Sequence, residues 1–340
     1  MLGEPGALSV VMTTYQAGRY LDEQIMSIFD QTRPPYEIVI SDDGSTDGTW
    51  RALERLALES PVAMRLLRNK RNMGLRLNVE QALSASTGDI IVLADQDDIW
   101  APTKLEAIAA SFEDPRVDAW FSDAELIDGE GRPLGRRAWE ATAFNSSDQE
   151  ALAKGGGLRR LLYGWTVTGA TMAFRSHLLD VALPLPDSLD GAEPLYLHDG
   201  WIAVLAHLDG AIAVNPSKLV KYRQHPTQVT GMSMVETAPP GRATSRERQA
   251  ELAREMRRVR LVTRRVRAHP ERAWDARKLQ ELFALEGFLE TRSSIAAGER
   301  AVGKVLAELS RGNYHRYGRG LRTALWDALP PRLRSLARND

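Results

Sequence analysis

The chain has no cysteine among its 340 residues. Disulfides, thiolate nucleophiles and zinc sites built on Cys are therefore excluded, and the composition suits a reducing compartment. No stretch approaches the ~18 consecutive apolar residues of a membrane-spanning helix. The segment from Met1 to Ala7 lacks the basic and apolar regions of a secretory signal, so a cytoplasmic protein is expected. A net excess of one charge is missing too, the total being −1. The balance is uneven along the chain, however. Residues 241–340 hold 23 Lys and Arg against 12 Asp and Glu, whereas residues 1–240 hold 21 against 33. An acidic body followed by a basic region predicts a surface that meets an anionic partner. With 43% apolar and 26% charged residues, this length suffices for one large globular domain or two smaller ones.

What is present centres on residues 88–100. Ile90 to Leu93 read as a buried strand that ends abruptly in Asp95, Asp97 and Asp98. Acids ejected at the C-terminal end of such a strand lie where open α/β sheets bind ligands. Three neighbouring carboxylates repel one another, so a cation is expected among them. Oxygen donors favour Mg2+ or Mn2+ over zinc. The plainer alternative is a polar turn leading into a helix at Pro102, with Asp98 near its N-terminus.

The flanking sequence alternates strands with helices. Residues 7–15, 36–41 and 62–67 read as strands, and residues 19–31, the segment after Asp47 and residues 75–86 as helices. Such alternation with short connections predicts a mostly parallel sheet flanked by helices. Two of its strands end in acids, Asp42-Asp43 and Asp95, on one edge. Asp43, Ser45, Asp47, Gly48 and Glu54 mimic an EF-hand loop, but a strand-like run enters it instead of a helix. A helix over 102–112, a strand over 119–128, a polar loop over 140–157 at the active edge and a strand over 166–175 follow. Gly169 interrupts that last strand, as expected where backbone approaches a ligand. Residues 232–248 read as a linker. Beyond it, Leu252, Met256, Val259, Val262 and Val266 make one apolar helical stripe among arginines. The expected division is a catalytic domain at 1–235 and a basic, helical region at 236–340.

Six motifs in order now carry a resemblance. They are Val10 to Tyr15, Asp42-Asp43-Gly44-Ser45-Thr46-Asp47, Asn72-x-Gly74-x3-Asn78, Asp95-Gln96-Asp97-Asp98-Ile99-Trp100, His198-Asp199-Gly200-Trp201, and Tyr222-Arg223-Gln224-His225. Together, over residues 7–231, the chain resembles glycosyltransferase family 2, enzymes of the GT-A fold, and its last motif resembles bacterial rhamnosyltransferase-like members. Gln16 departs from the family pattern, which has Asn there.

The resemblance implies a metal-dependent, inverting transfer of a sugar from a UDP- or dTDP-sugar to a hydroxyl of a saccharide or lipid-linked acceptor, in cell-surface polysaccharide synthesis. L-rhamnose is the sugar the last motif suggests. By the same resemblance Thr13, Tyr15 and Asp43 look like the base-binding set, joined at the nucleotide by Asp42, Asn72, Gly74 and Asp95. Asp42 serves equally well as a turn cap. Asp95, Asp97 and His225 would hold the divalent ion, and Asp98 would complete the shell or cap a helix. Asp199 would be the general base. His198, Trp201, Asp98 and Gly169 are acceptor or sugar candidates. The basic region would lie on the inner face of the plasma membrane or pack on the catalytic domain. Two rival functions differ in what they need. A sugar-nucleotide nucleotidyltransferase wants a basic, glycine-rich loop after the first strand, which residues 13–19 lack, and a nucleic-acid binder would carry a base-reading motif in the basic region. No nucleic acid is expected as a partner.

Overall fold

The computed structural model describes residues 6–163, 166–190, 195–226, 228, 245–297, 299, 301–318 and 320–329. The chain forms two compact units, Met1–Val235 and Glu236–Asp340. In the first, the strands are β1 (Leu8–Thr14), β2 (Glu37–Asp42), β3 (Ala63–Arg68), β4 (Ile90–Ala94), β5 (Ile99–Trp100), β6 (Val117–Ile127), β7 (Pro133–Arg137), β8 (Met172–Arg175) and β9 (Ala211–Arg223). Its helices are α1 (Leu21–Phe29), α2 (Thr49–Glu59), α3 (Leu75–Ala85), α4 (Lys104–Ser111), α5 (Ala138–Ala141), α6 (Ser146–Ala153), α7 (Leu158–Tyr163), α8 (Leu179–Ala182) and α9 (His198–Asp209).

All the strands belong to one sheet, ordered β3-β2-β1-β4-β8-β6-β9-β5, with β7 alongside β6. The first four are parallel, as the strand–helix alternation requires. Their centre is covered on both faces, so β1 and β4 are buried along almost their whole length, while edge strand β3 alternates between exposed and half-buried residues. β8 runs antiparallel to both β4 and β6, so the mostly parallel sheet is mixed at this point. It is short because Gly169–Thr171 leaves the expected strand as a 3-10 turn. β9, the longest strand, carries the start of the Tyr222-Arg223-Gln224-His225 motif at its end. Pro216 lies within it, and the register against β6 shifts between Ser122 and Asp123, so the residue that cannot donate to the ladder falls at an irregularity. Residues 140–157 are not an open loop: the Asn145 side chain accepts from the backbone N–H groups of Ser147 and Asp148 and starts α6.

β4 and β6 both run antiparallel to β8, so the C-terminal ends of β1, β2, β4, β6 and β9 share one edge. The functional residues collect there. In the second unit, α10 (Ser245–Arg267), α11 (Ala276–Ala296), α12 (Ala301–Ser310), α13 (Asn313–Tyr317) and α14 (Leu321–Ala328) pack on one another. The stripe from Leu252 to Val266 is buried as its spacing predicts. The expected linker lies largely outside the described residues, as do Arg319, Arg332, Arg334 and Arg338 of the basic region.

Candidate active site

β5 pairs antiparallel with β9, Ile99 opposite Lys221 and Trp100 opposite Val220. That pairing folds the Asp95–Asp98 turn back onto the end of β9. His225 Nε2 lies 2.8 Å from Asp97 Oδ2, and its ring packs against Tyr20 at 4.9 Å between centroids. Asp98 is buried; its Oδ1 accepts the Arg223 backbone N–H at 2.9 Å, and its Oδ2 has no hydrogen-bond partner. Arg223 is itself 2% exposed. Its Nε donates to the Asp97 carbonyl at 2.7 Å, its Nη2 to Glu23 Oε2 at 2.6 Å, and its guanidinium stands 4.6 Å from the Tyr20 ring centroid. One buried arginine thus fixes the acidic turn to α1 and, through the Asp128 and Gly129 carbonyls at 3.4 Å, to the turn after β6, a role no periodicity or spacing argument reveals.

Asp199 occupies the first turn of α9 and is buried. Its Oδ2 accepts the Gly169 N–H at 2.7 Å and its Oδ1 the Gly200 N–H at 2.6 Å. Gly169 is where the two halves of the site meet. A Cβ there would sit 3.3 Å from His198 Nε2, 3.6 Å from Asp199 Oδ2 and 3.8 Å from Asp95 Oδ1. Close backbone approach therefore occurs at Gly169 as its sequence position suggests, but toward the protein's own acids. Trp201, expected as an acceptor contact, is instead fully enclosed, its indole N–H donating to the Ala182 carbonyl at 3.1 Å. A side chain held that deep serves the core. Burial holds His198 below the usual histidine range, against the opposing pull of Asp199, so it is neutral near pH 7.

On the other flank, Asp42 is wholly buried and accepts from Thr14 Oγ1 at 3.0 Å, Ser45 N at 2.9 Å and Ser45 Oγ at 2.6 Å. It braces the turn, one of its two expected roles. Asp43 accepts from Asn69 Nδ2 and Met73 N at 2.8 Å and from Gly74 N at 2.9 Å. It pins the 69–74 loop, and Gly44 permits the approach: at φ +75 a Cβ would meet the Arg71 carbonyl carbon at 2.9 Å. The Asn72 side chain is turned to Gly74 N at 3.0 Å. Thr13 is half-buried and Tyr15 is 45% exposed, at the rim. Gln96, the central residue of the acidic motif, takes the Tyr15 N–H at 2.9 Å and donates to the Tyr15 carbonyl at 3.3 Å. Sequence reasoning assigned Gln96 nothing; its place between two acids was the available signal.

The cluster is under electrostatic load. Burial, then Asp97 and Asp199, push the Asp95 carboxyl up to about 7. Burial, then Asp95 and Asp97, hold Asp98 well above the usual range. Tyr222, at the end of β9, is raised by burial and by all four acids, so its hydroxyl keeps its proton. Crowded carboxylates, an adjacent imidazole and the orphaned Asp98 oxygen fit a hard divalent ion. Asp97 and His225 would hold it, with Asp95 beside them. The expected trio is not tightly gathered, however. Among the described residues, the close His and carboxylate trio is Asp118, His177 and Asp209, with ligand atoms within 4.8 Å. It lies at the opposite sheet edge, by the start of β6, where His177 Nε2 bridges Asp209 at 3.1 Å and Asp118 at 3.5 Å.

Comparison with known proteins matches residues 9–176 to the model described as Glycosyl transferase family 2. An uncharacterised glycosyltransferase of Nostoc sp. is 26% identical over 219 residues, 64% of this chain and 65% of that protein, so just under two thirds of the relative is spanned. Among solved structures, S. aureus TarS 1-349 in complex with UDP-GlcNAc superposes with a TM-score of 0.53 at 18% identity, over 88% of this chain and 75% of that one. The Pyrobaculum calidifontis mannosyltransferase PcManGT in complex with GDP-Man and Mn2+ gives 0.50 at 20% identity, over 89% and 75%. At such identities the likeness establishes the fold.

Proposed function

We propose that this glycosyltransferase, placed in family 2 by the domain at residues 9–176, moves a sugar from a pyrimidine nucleoside diphosphate to an acceptor hydroxyl in one inverting displacement. The observation that carries this reading is the convergence of Asp95, His198 and Asp199 around Gly169. A carboxylate fixed by two backbone N–H groups stands beside the acids that would face the diphosphate. Asp199 takes the proton from the acceptor hydroxyl, its orientation set by Gly169 and Gly200 before any substrate arrives. Tyr15, tethered by Gln96, covers the base. Neutral His198 touches the acceptor side. A divalent ion on Asp97 and His225 supplies charge neutralisation for the leaving nucleoside diphosphate. UDP and dTDP both suit the rim, L-rhamnose is the favoured sugar, and the acceptor is a saccharide or lipid-linked saccharide of cell-surface polysaccharide synthesis.

A peripheral seat on an anionic membrane belongs to the same reading. No described helix is long and apolar enough to cross a bilayer. Yet α12 exposes Val302 and Leu306, and α14, which packs against it, exposes Leu321 and Leu325. The acids of these helices, Glu308 and Asp327, are buried, whereas Arg316 and Arg322 are exposed. Apolar pairs edged by cations suit an interfacial seat.

The test is thermal shift with UDP and dTDP, each with and without Mn2+. Metal-dependent stabilisation by at least one nucleotide is expected, and its absence with both contradicts the reading.

A further inference from the structure

The sheet edge opposite the candidate active site carries a second set of ligating groups. Asp118 stands at the start of β6, His177 in the 3-10 turn Ser176–Leu178 after β8, and Asp209 closes α9. His177 Nε2 lies 3.1 Å from Asp209 Oδ2 and 3.5 Å from Asp118 Oδ1. One ligand atom from each of the three falls within 4.8 Å of the others. The two carboxylate side chains are only 10% and 11% exposed, whereas the imidazole is 42% exposed. Gly210 makes room for them, since a Cβ there would sit 2.2 Å from Asp118 Oδ2. Two independent features require a cation here. Two mostly buried carboxylates are brought close together, and Asp209 also ends a helix, where the macrodipole already presents negative charge. Arg175 answers only part of this need. Its Nε stands 4.0 Å from Asp118 Oδ1, while its N–H groups go to the Val117, Phe112 and Asp114 carbonyls.

We propose that Asp118, His177 and Asp209 form a structural site for a divalent ion of the zinc class, separate from the ion site at Asp97. One imidazole with two carboxylates is a mixed N/O donor set that suits zinc. Four-coordinate zinc with bonds near 2.0–2.1 Å separates its ligand atoms by roughly 3.3 Å. The two distances from His177 Nε2 bracket that value. A plain ion pair accounts for less, because Nε2 carries at most one proton while two carboxylates face it. An ion on the Nε2 lone pair serves both carboxylates at once. The exposed imidazole gives the ion an entry path and leaves a fourth position for water. Such an ion staples the end of α9 to β6 and to the turn after β8. It sits about 15 Å along α9 from Asp199, at 1.5 Å per residue, so the proposal does not rest on the transferase reading.

The test is titration of the EDTA-treated, dialysed full chain with Zn2+ by calorimetry and with Co2+ by visible absorption. Asp97→Ala, His177→Ala and Asp209→Asn are titrated beside the wild type. Asp97→Ala should keep the intense visible bands of tetrahedral Co2+, which removes the active-site ligands from the count. His177→Ala and Asp209→Asn should each weaken Zn2+ binding about tenfold or more and abolish those bands, at least the loss that removing a ligand's outer partner causes. Wild-type Zn2+ affinity in His177→Ala and Asp209→Asn, or no tetrahedral bands in Asp97→Ala, overturns the proposal. Melting supplies a check that separates the metal site from an ion pair. The gap between wild type and Asp209→Asn, a nearly isosteric change, should widen by several degrees when Zn2+ replaces EDTA. A gap of the same size in both conditions assigns the trio to an ion pair and overturns the metal site.

Discussion

His225 Nε2 and Asp97 Oδ2 lie 2.8 Å apart although 128 residues separate them in sequence. The contact exists because β5 pairs with β9 and returns the acidic turn to the strand end that carries the histidine. Either residue alone is weak evidence of an ion site; touching, beside the orphaned oxygen of Asp98, they form a half-built shell. Removing His225 as Ala, or Asp97 as Ala, is therefore expected to raise the Mn2+ concentration needed for nucleotide binding about tenfold or more, as loss of a ligand or of its orienting partner does. Titrating Mn2+ at fixed UDP checks this; an unchanged requirement assigns the pair to structure alone.

Gly169→Ala tests the convergence of the acids. Its Cβ would lie 3.3 Å from His198 Nε2, tight enough to shift that ring by a few tenths of an ångström, and in ordinary contact with Asp199 Oδ2 at 3.6 Å. Transfer should fall between about tenfold and a hundredfold, as small misplacements of a reacting group do. Melting in the absence of ligand should change by only about 1 kcal/mol, since the strain is local. Steady-state kinetics beside a denaturation curve separate the two.

How much of this was legible follows the range of each interaction. The parallel half of the sheet announces itself through apolar runs and acidic strand ends, and motif order singles out Asp95 and Asp199, which the fold brings together at Gly169. Trp201 misleads because a motif says which residues travel together, not which way each side chain faces; the helix turns this indole toward Ala182. Asp42 and Asp43 stand in one motif, yet one braces its own turn while the other reaches a loop about 30 residues on. The burial and bracing contacts of Arg223, which stands in a motif, and of Lys104, which stands in none, escape sequence reading. A charged residue in an amphipathic pattern reads as solvated, and nothing local records that both are buried against carbonyls of distant segments.

Arg223 supplies a stability prediction. Its guanidinium is 2% exposed and satisfies the Asp97 carbonyl and Glu23 together, a fork that lysine does not reproduce. Arg223→Lys should cost about 2 kcal/mol or more, from a buried carbonyl left unpaired. Urea unfolding reads the loss, and a change below about 0.5 kcal/mol would show that the fork is dispensable.

The protonation of Asp95 makes stability depend on pH. Its folded value, about 7, lies above the ordinary 3.8, so between those values the folded state holds a proton the unfolded chain has released. This contribution is fully present below pH 3.8 and is lost as pH rises through about 7. In EDTA, the gap between Asp95→Asn and wild type should therefore move in favour of the variant from pH 5.5 to pH 8, and added Mn2+ should stabilise the wild type more at the higher pH. A gap that stays constant across that range contradicts the assignment.

The central claim is that Asp199, held by Gly169 and Gly200, takes the proton from the acceptor. The direct measurement is transfer by Asp199→Asn alongside its affinity for UDP and Mn2+, using a panel of nucleotide sugars to identify the donor. The expected result is a loss of about 10² to 10⁴ in kcat with nucleotide affinity within about twofold of wild type. Near-normal turnover by the Asn variant would contradict the account.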